Sequence, residues 1–461
     1  MRRKEEKRKG RRMTARGVWW LVLLLMTVWG LMPVYANDAT TLEELKQQLE
    51  VLQQKVAEME TQNALEAQRA AELEAQKTAA AKEAETHLVN RGPGPGTFNF
   101  RLPDIDTDVR LGGFVKLDAV YSDVGAGSNS DCDRFFCPGK IYVGPSADEP
   151  SEKLVFTAKQ SRLYLTTRTG TAMGDLKVHV EGDIYGAAGN QKVSNSDSWR
   201  VRHAYGQLGN FMAGQNWSTV RNAGVLPETL DFGGPAGQIF VRQAQVRWTQ
   251  PFDWGNLQLA AENPETWVID GRTGDSDSYD TERVPDVVAR ADYNCDFGKF
   301  SLALMGRELR IDNDIADDST YGGAVSVAGV VPTFGKDDFR FMLNYGNALG
   351  RYMWSNFEDA YIDEDGDLEA LEQWGGFLAY RHFWLDNLRS SLVYAYAEAD
   401  NDTGEVGDEV NKRFQSLHLN LVWSPVSQVN LGLEYLRGER ELENGDDGDL
   451  NRFQFSAQYL F

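Results

Sequence analysis

From about residue 107 to residue 461, apolar and polar residues alternate with a period of two. Leu176, Val178, Val180 and Ile184 share one parity, and Lys177, His179, Glu181, Asp183 and Tyr185 share the other. The same pattern sets Phe339, Phe341, Leu343 and Tyr345 against Arg340, Met342 and Asn344, and Leu417, Leu419, Leu421 and Trp423 against Ser416, His418 and Asn420. A strand alternates its side chains between two faces, so each segment predicts a strand with one apolar face. Candidate strands centre near residues 115, 163, 181, 204, 214, 245, 259, 290, 305, 326, 342, 377, 393, 418, 432 and 456. Their connections alternate between short and long. The long ones fall near residues 122–152, 187–197, 218–236, 263–283, 312–319, 348–369, 398–410 and 439–449. A soluble sandwich would give similar single strands, but this number with this alternation predicts an all-β transmembrane barrel of about 16 antiparallel strands. Bulges are expected near residues 202–206 and 306–310.

The pattern upstream is different. Leu42, Leu45, Leu49, Leu52, Val56 and Met59 step by three and four in a stretch, residues 39–87, that lacks Gly and Pro. Read as heptads, they place a seam at positions a and d and predict an α-helical coiled coil, with Asn63 as a polar a residue that can set register. A single amphipathic helix lying against the barrel is the alternative. Arg91-Gly92-Pro93-Gly94-Pro95-Gly96 cannot continue a helix and reads as a linker. At the start, a basic segment precedes the apolar run from Val18 to Met32 and the small-residue site ending at Ala36, the order of a secretory signal peptide. Met13 offers a second start. The expected organisation is a signal peptide at 1–36, a periplasmic coiled coil at 37–90, a linker at 91–98 and an outer-membrane barrel at 99–461.

Composition alone misleads. The 461 residues carry a net charge of −22 with 42% hydrophobic residues, which excludes collagen-like, disulfide-scaffold and wholly disordered classes. Such acidity also argues against nucleic acid as a partner. Negative mean hydropathy suggests a soluble protein, but a barrel averages a lipid-facing and a water-facing parity and so hides its membrane band. The leader holds nine Lys/Arg and two Glu, so its removal takes the net charge to −29.

The C-terminal segment from Phe453 to Phe461 alternates aromatic with polar residues and ends on Phe, similar to the targeting signal of outer-membrane barrels. Phe114-Val115-Lys116-Leu117-Asp118, Arg202-His203-Ala204-Tyr205-Gly206-Gln207-Leu208 and Gly214-Gln215-Asn216-Trp217 resemble the DcaP-like porins. So, most specifically, does Pro227-Glu228-Thr229-Leu230-Asp231-Phe232-Gly233-Gly234-Pro235, followed by Gly237-Gln238-Ile239-Phe240-Val241-Arg242-Gln243. The resemblance spans the mature chain. It implies a homotrimer in outer-membrane lipid that lets small anionic solutes, dicarboxylates included, diffuse through. The coiled coil would then face periplasmic or cell-wall partners.

The residues themselves suggest how. Residues 216–238 form the third long loop, which in porin barrels folds inward. Pro227, Gly233, Gly234 and Pro235 allow a tight path, Phe232 lies within it, and Glu228 and Asp231 are expected to place negative charge on it. Arg162, Arg168, Arg200, Arg202, Arg247, Arg290, Arg340 and Arg381 recur in strand bodies. An arginine facing mid-bilayer lipid costs about 2 to 4 kcal/mol, so these should face the lumen, where guanidinium forks hold carboxylates. The alternative is that they pair with Glu181, Asp183, Glu262 or Asp292 and only fill space. Parity points Arg242 outward unless a bulge intervenes. Cys132 and Cys137, in an external Gly/Ser/Asp-rich loop, are expected to form a disulfide, and Cys295 is left over. Asp363, Glu364, Asp365, Asp367 and Glu369 loosely suggest calcium, but an acidic solvated loop accounts for them and no metal or cofactor is expected. No nucleophile elbow or metal-binding His pair supports an enzyme. A barrel hydrolase using His179, His203 or His418, or an adhesive envelope protein, is the alternative to a porin.

Overall fold

The computed structural model describes residues 54–55, 97–102, 106–126, 130–144, 151–186, 197–271, 273–312 and 317–461. The chain divides into a unit of residues 1–91 and a unit of residues 92–461. In the first, Gln54 and Lys55 are helical. The expected signal peptide, the rest of the coiled coil and residues 91–96 of the linker lie outside the described residues.

In chain order the strands are β1 (Thr97–Leu102), β2 (Thr107–Ser122), β3 (Lys153–Thr157), β4 (Arg162–Thr171), β5 (Gly174–Asp183), β6 (Arg200–Leu208), β7 (Phe211–Trp217) and β8 (Arg242–Phe252). Then come β9 (Gly255–Glu262), β10 (Thr266–Asp270), β11 (Ser276–Tyr279), β12 (Asp286–Cys295), β13 (Gly298–Asp312), β14 (Asp317–Pro332) and β15 (Asp338–Gly346). Last are β16 (Ala360–Ile362), β17 (Leu368–Ala370), β18 (Glu372–Leu385), β19 (Leu388–Asp400), β20 (Asn411–Val426), β21 (Val429–Leu442) and β22 (Asp447–Leu460). Sixteen of them form the wall: β2, β4–β9, β12–β15 and β18–β22. Neighbours pair antiparallel, and β22 returns to β2 from Phe114↔Leu460 to Ser122↔Arg452, which closes the barrel. Closure leaves no open edge. Every expected strand centre falls inside one of the sixteen.

Some expectations change and one holds. The linker ends early, because β1 begins at Thr97 and pairs with Thr107–Gly112, the edge of β2 that β22 does not reach. The bulge in β6 is real: Glu181 pairs with His203 and Gly182 with Val201, so Arg202 is the extra residue. No bulge occurs near Gly306, since the β13–β14 register runs unbroken from Lys299↔Val330 to Asp312↔Asp317. That long ladder also shortens the expected fifth long loop to residues 313–316, and the β21–β22 ladder shortens the eighth to residues 443–446. The fourth and sixth loops, in contrast, fold into a separate four-stranded sheet of β11, β10, β16 and β17. Val268, Ala360, Ile362 and Leu368 of that sheet bury Leu309 and Ile311 of β13.

Outward positions are apolar and exposed, among them Val115, Leu165, Val178, Leu259, Leu304, Leu343, Leu392, Leu421 and Phe455. In water such a surface would be unfavourable, and in a bilayer it is the solvated face. Inward positions are of two kinds. On β4 to β8 they are mostly polar, and Tyr164, Lys177, Tyr205 and Arg247 among them keep partial exposure. On β13 to β22 they are mostly buried: Met305, Met342, Phe377, Val393, Phe414 and Leu436 join loop residues Phe136, Ile239, Tyr352 and Phe357 in one apolar core.

Candidate functional site

What enters the lumen decides what can pass, and residues 218–241, between β7 and β8, run along its inner wall. Arg290 donates to the carbonyls of Thr219 (2.9 Å) and Arg221 (2.7 Å), and Arg340 to that of Leu226 (2.7 Å). Asn344 donates to Gly237 O (2.8 Å), and Ser416 accepts from Ala236 N (3.2 Å). Glu434 accepts the amides of Leu230 (2.7 Å) and Asp231 (3.1 Å), while Lys116 donates to Leu230 O (2.7 Å). Loop backbone that lacks ladder partners is thereby satisfied by wall side chains. Gly234 and Gly237 take φ of 68° and 70°, left-handed conformations that favour glycine.

The loop's carboxylates do not project charge as expected. Asp231 is 3% exposed and accepts the amides of Phe136 (2.9 Å), Gly233 (2.8 Å) and Gly234 (3.1 Å), with Arg452 3.6 Å away. Burial raises its pKa above the ordinary carboxylate value, against the pull of Arg452. Glu228 is neutralised by Arg389 at 2.7 Å, with Arg381 at 3.8 Å. Gly233, Gly234 and Pro235 are buried, whereas Pro227 and Phe232 keep partial exposure.

The wall arginines separate by partner. Arg162 meets Glu181 at 3.3 Å, Arg200 grips Asp183 through two nitrogens at 3.0 and 2.8 Å, and Arg202 bridges Glu181 and Asp183, both at 2.9 Å. Arg290 pairs with Asp292 at 3.0 Å, and Arg340 and Arg381 converge on Asp338. Thus six of the eight expected pore arginines have a carboxylate partner. Of the carboxylates expected to fill that role, Glu262 instead accepts from Thr219 N and Gln243. Among the described residues, Arg168 and Arg247 have no ion pair.

Arg242 corrects the parity reading. Although Val246 on the same strand faces lipid, the Arg242 guanidinium lies 4.5 Å from the centroid of the Trp217 ring. That indole also contacts His203 and Phe240, at centroid distances of 5.7 and 5.3 Å, and Arg221 at 3.9 Å. Gly214, at φ 130°, interrupts the regular backbone of β7 just before Trp217. Aromatic contacts continue through Phe240 to Trp354, Phe232, Phe135 and Tyr185. Arg221 was absent from the expected set, yet it is the only cation in residues 218–241, a signal the sequence did carry. Glu434 and Arg389 had no comparable signal, because only the fold brings them to the loop.

The remaining candidates fall into place. Cys132 and Cys137 form a disulfide in the first loop, and Cys295 is free. Residues 363–367 make the turn between β16 and β17, and no metal-holding cluster occurs among the described residues. His418 is buried beside Glu434 at 3.3 Å. His179 shares a 2.7 Å hydrogen bond with Thr166, but its Nε2 stands 4.0 Å from Glu181, too far for the orienting bond a nucleophilic pair requires. His203 lies 3.9 Å from Glu181.

A closed sixteen-stranded barrel with an apolar outer belt, a polar inner face and a loop lying along that face is an outer-membrane porin-type channel. The sequence profile of the DcaP outer membrane protein family matches residues 99–461, and the chain belongs to that family. The outer membrane channel DcaP of Acinetobacter baumannii is 26% identical, with a TM-score of 0.67 over 80% of this chain and 100% of that one. An anion-selective porin from Comamonas acidovorans shares the fold at 13% identity and a TM-score of 0.50, covering 77% of this chain and 100% of that one. OmpF of Salmonella typhi, 11% identical with a TM-score of 0.50, covers 79% of this chain and all of that one. No curated protein matched.

Proposed function

We propose that this chain is a trimeric porin through which small anionic solutes, dicarboxylates among them, diffuse passively. The pore lies along β4–β8 and is narrowed by residues 218–241. The observation that carries this reading is the charge on that face: Arg162, Arg168, Lys177, Arg200, Arg202 and Arg247 share it, and the carboxylates acting on Arg162 and Arg247 are Glu181, Asp183, Glu262 and Asp292. A water-filled lumen with surplus fixed cations concentrates anions, and weak pairing lets them leave again. Wall arginines already held by Glu181 and Asp183 supply field rather than free forks. The heptad segment 37–90 would join three chains in the periplasm after the leader is removed.

Planar-bilayer recording of the purified full chain tests the reading. In a salt gradient, the reversal potential should show anions more permeant than cations. Cation preference, or no conductance, would overturn it.

A further inference from the structure

We infer that Arg221 and Arg242, packed about the indole of Trp217, form an oxyanion-binding subsite that sets the channel's solute preference. The inference rests on the anion-porin reading and adds to it which groups bind.

The geometry singles these two out. Arg202, Arg221 and Arg242 lie 5.8, 3.9 and 4.5 Å from the Trp217 centroid, so three guanidiniums gather round one ring. Arg202 holds Glu181 and Asp183. Among the described residues, the other two have no carboxylate. Arg221 is only 5% exposed, its side chain donates to Ile239 O, and its Nε has no partner. Burial and the like charge of Arg202 lower its pKa from the ordinary arginine value, the sign of a charge without its counter-ion. Arg242 likewise leaves Nη1 unpartnered.

An indole face attracts a cation but supplies no hydrogen-bond acceptor in the guanidinium plane. Buried N–H donors left in this state cost free energy that an acceptor would recover. A carboxylate or a phosphate, accepting two N–H bonds at once, matches the fork geometry. Asp183, the carboxylate that acts on Arg242, is already held by Arg200 and Arg202, and among the described residues none forms an ion pair with Arg221 or Arg242, so the acceptor comes from the solute. The site also joins loop to wall, since Arg221 belongs to residues 218–241 and Arg242 opens β8. A bound oxyanion would bridge them, entering past Arg242, which keeps partial exposure.

The test uses the full chain in planar bilayers, with succinate and inorganic phosphate as separate probes added to a chloride solution. Block of the chloride current by at least one probe is expected in the unaltered protein. In R221Q/R242Q that block should weaken by about tenfold, and the anion preference should fall. R221K/R242K keeps the charge without the fork, so the preference should return while the block stays weak. If the double Gln variant does not fold, crystals of the unaltered protein soaked in selenate supply the answer. An anomalous peak within hydrogen-bond distance of both guanidiniums supports the subsite, and peaks only elsewhere overturn it. An anion-selective unaltered channel whose block is the same in R221Q/R242Q overturns the subsite alone. A cation-selective unaltered channel overturns the porin reading beneath it.

Discussion

The two halves of the inner wall solve the same problem in opposite ways. On β4 to β8, inward side chains are mostly polar, with Tyr164, Lys177, Tyr205 and Arg247 partly exposed and Asp183 and Arg202 buried, and Arg162, Arg200 and Arg202 share two carboxylates. On β13 to β22, the lumen is closed by the first, third and sixth loops around an apolar core, in which Phe377, Phe414 and Tyr352 are at most 1% exposed. Under the proposed function, one barrel would serve both as a conduit and as a container. Loops pack one side of the lumen, leaving the other as the proposed path, and the close packing of the filled side holds the loops there.

Four substitutions probe this contrast, from the largest expected effect to the smallest. Arg307 is fully buried between Asp286 (3.2 Å) and Asp359 (2.7 Å), and Asp359 lies in the sixth loop. Arg307→Ala leaves buried Asp359 without its cation and Asp286 with only Arg351, 3.7 Å away, so unfolding in denaturant should show a loss of about 3 to 5 kcal/mol. A loss as small as that of an exposed arginine would mean the filled half is loosely packed. Glu434→Ala removes the acceptor for two amides at the tip of residues 218–241, and should cost about 2 to 3 kcal/mol. It should also raise open-channel current noise as the loop detaches, and an unchanged, quiet channel would contradict the tether. Cys132→Ser opens a bridge spanning a sequence separation of 5, so about 2 kcal/mol should be lost in non-reducing unfolding. Reductant should then leave the variant unaltered while destabilising the parent. Arg162→Gln, on the conduit side, should cost under about 1 kcal/mol because its pair with Glu181 is partly solvated. Its effect should appear in the reversal potential instead. A large stability loss would show that the two halves are less different than their burial implies.

Much of the wall was legible before any tertiary structure. Alternation places strands wherever one face must be apolar, and sixteen centres from residue 115 to residue 456 each landed in a wall strand. The bulge at Arg202 was visible too, because parity slips there between Arg202 and Tyr205. Outside strands, the pattern says less. Val268, Ala360 and Ile362 lie in long connections with too few residues to show alternation, and their sheet exists because it buries Leu309 and Ile311 of β13.

At the site, residue type was readable and orientation was not. Arginine in strand bodies pointed to a polar lumen, but whether each is free or paired depends on carboxylates from neighbouring strands, as with Arg340, Arg381 and Asp338. Asp231 looked like a pore charge because it lies on the third long loop, which was expected to fold inward. Only the fold showed it turned away, toward the amides of Phe136, Gly233 and Gly234 and the charge of Arg452.

By itself, then, the sequence determined the class of wall, the number of strands and the apolar parity, because these follow from a local period imposed by lipid on one side. Tertiary structure decided which half of the lumen is filled, where residues 218–241 attach, and that Arg221 and Arg242 meet at Trp217. Those outcomes depend on pairings between residues far apart in the chain, such as Glu434 with Leu230, and on the break in regular backbone at Gly214. A period of two carries no information about either.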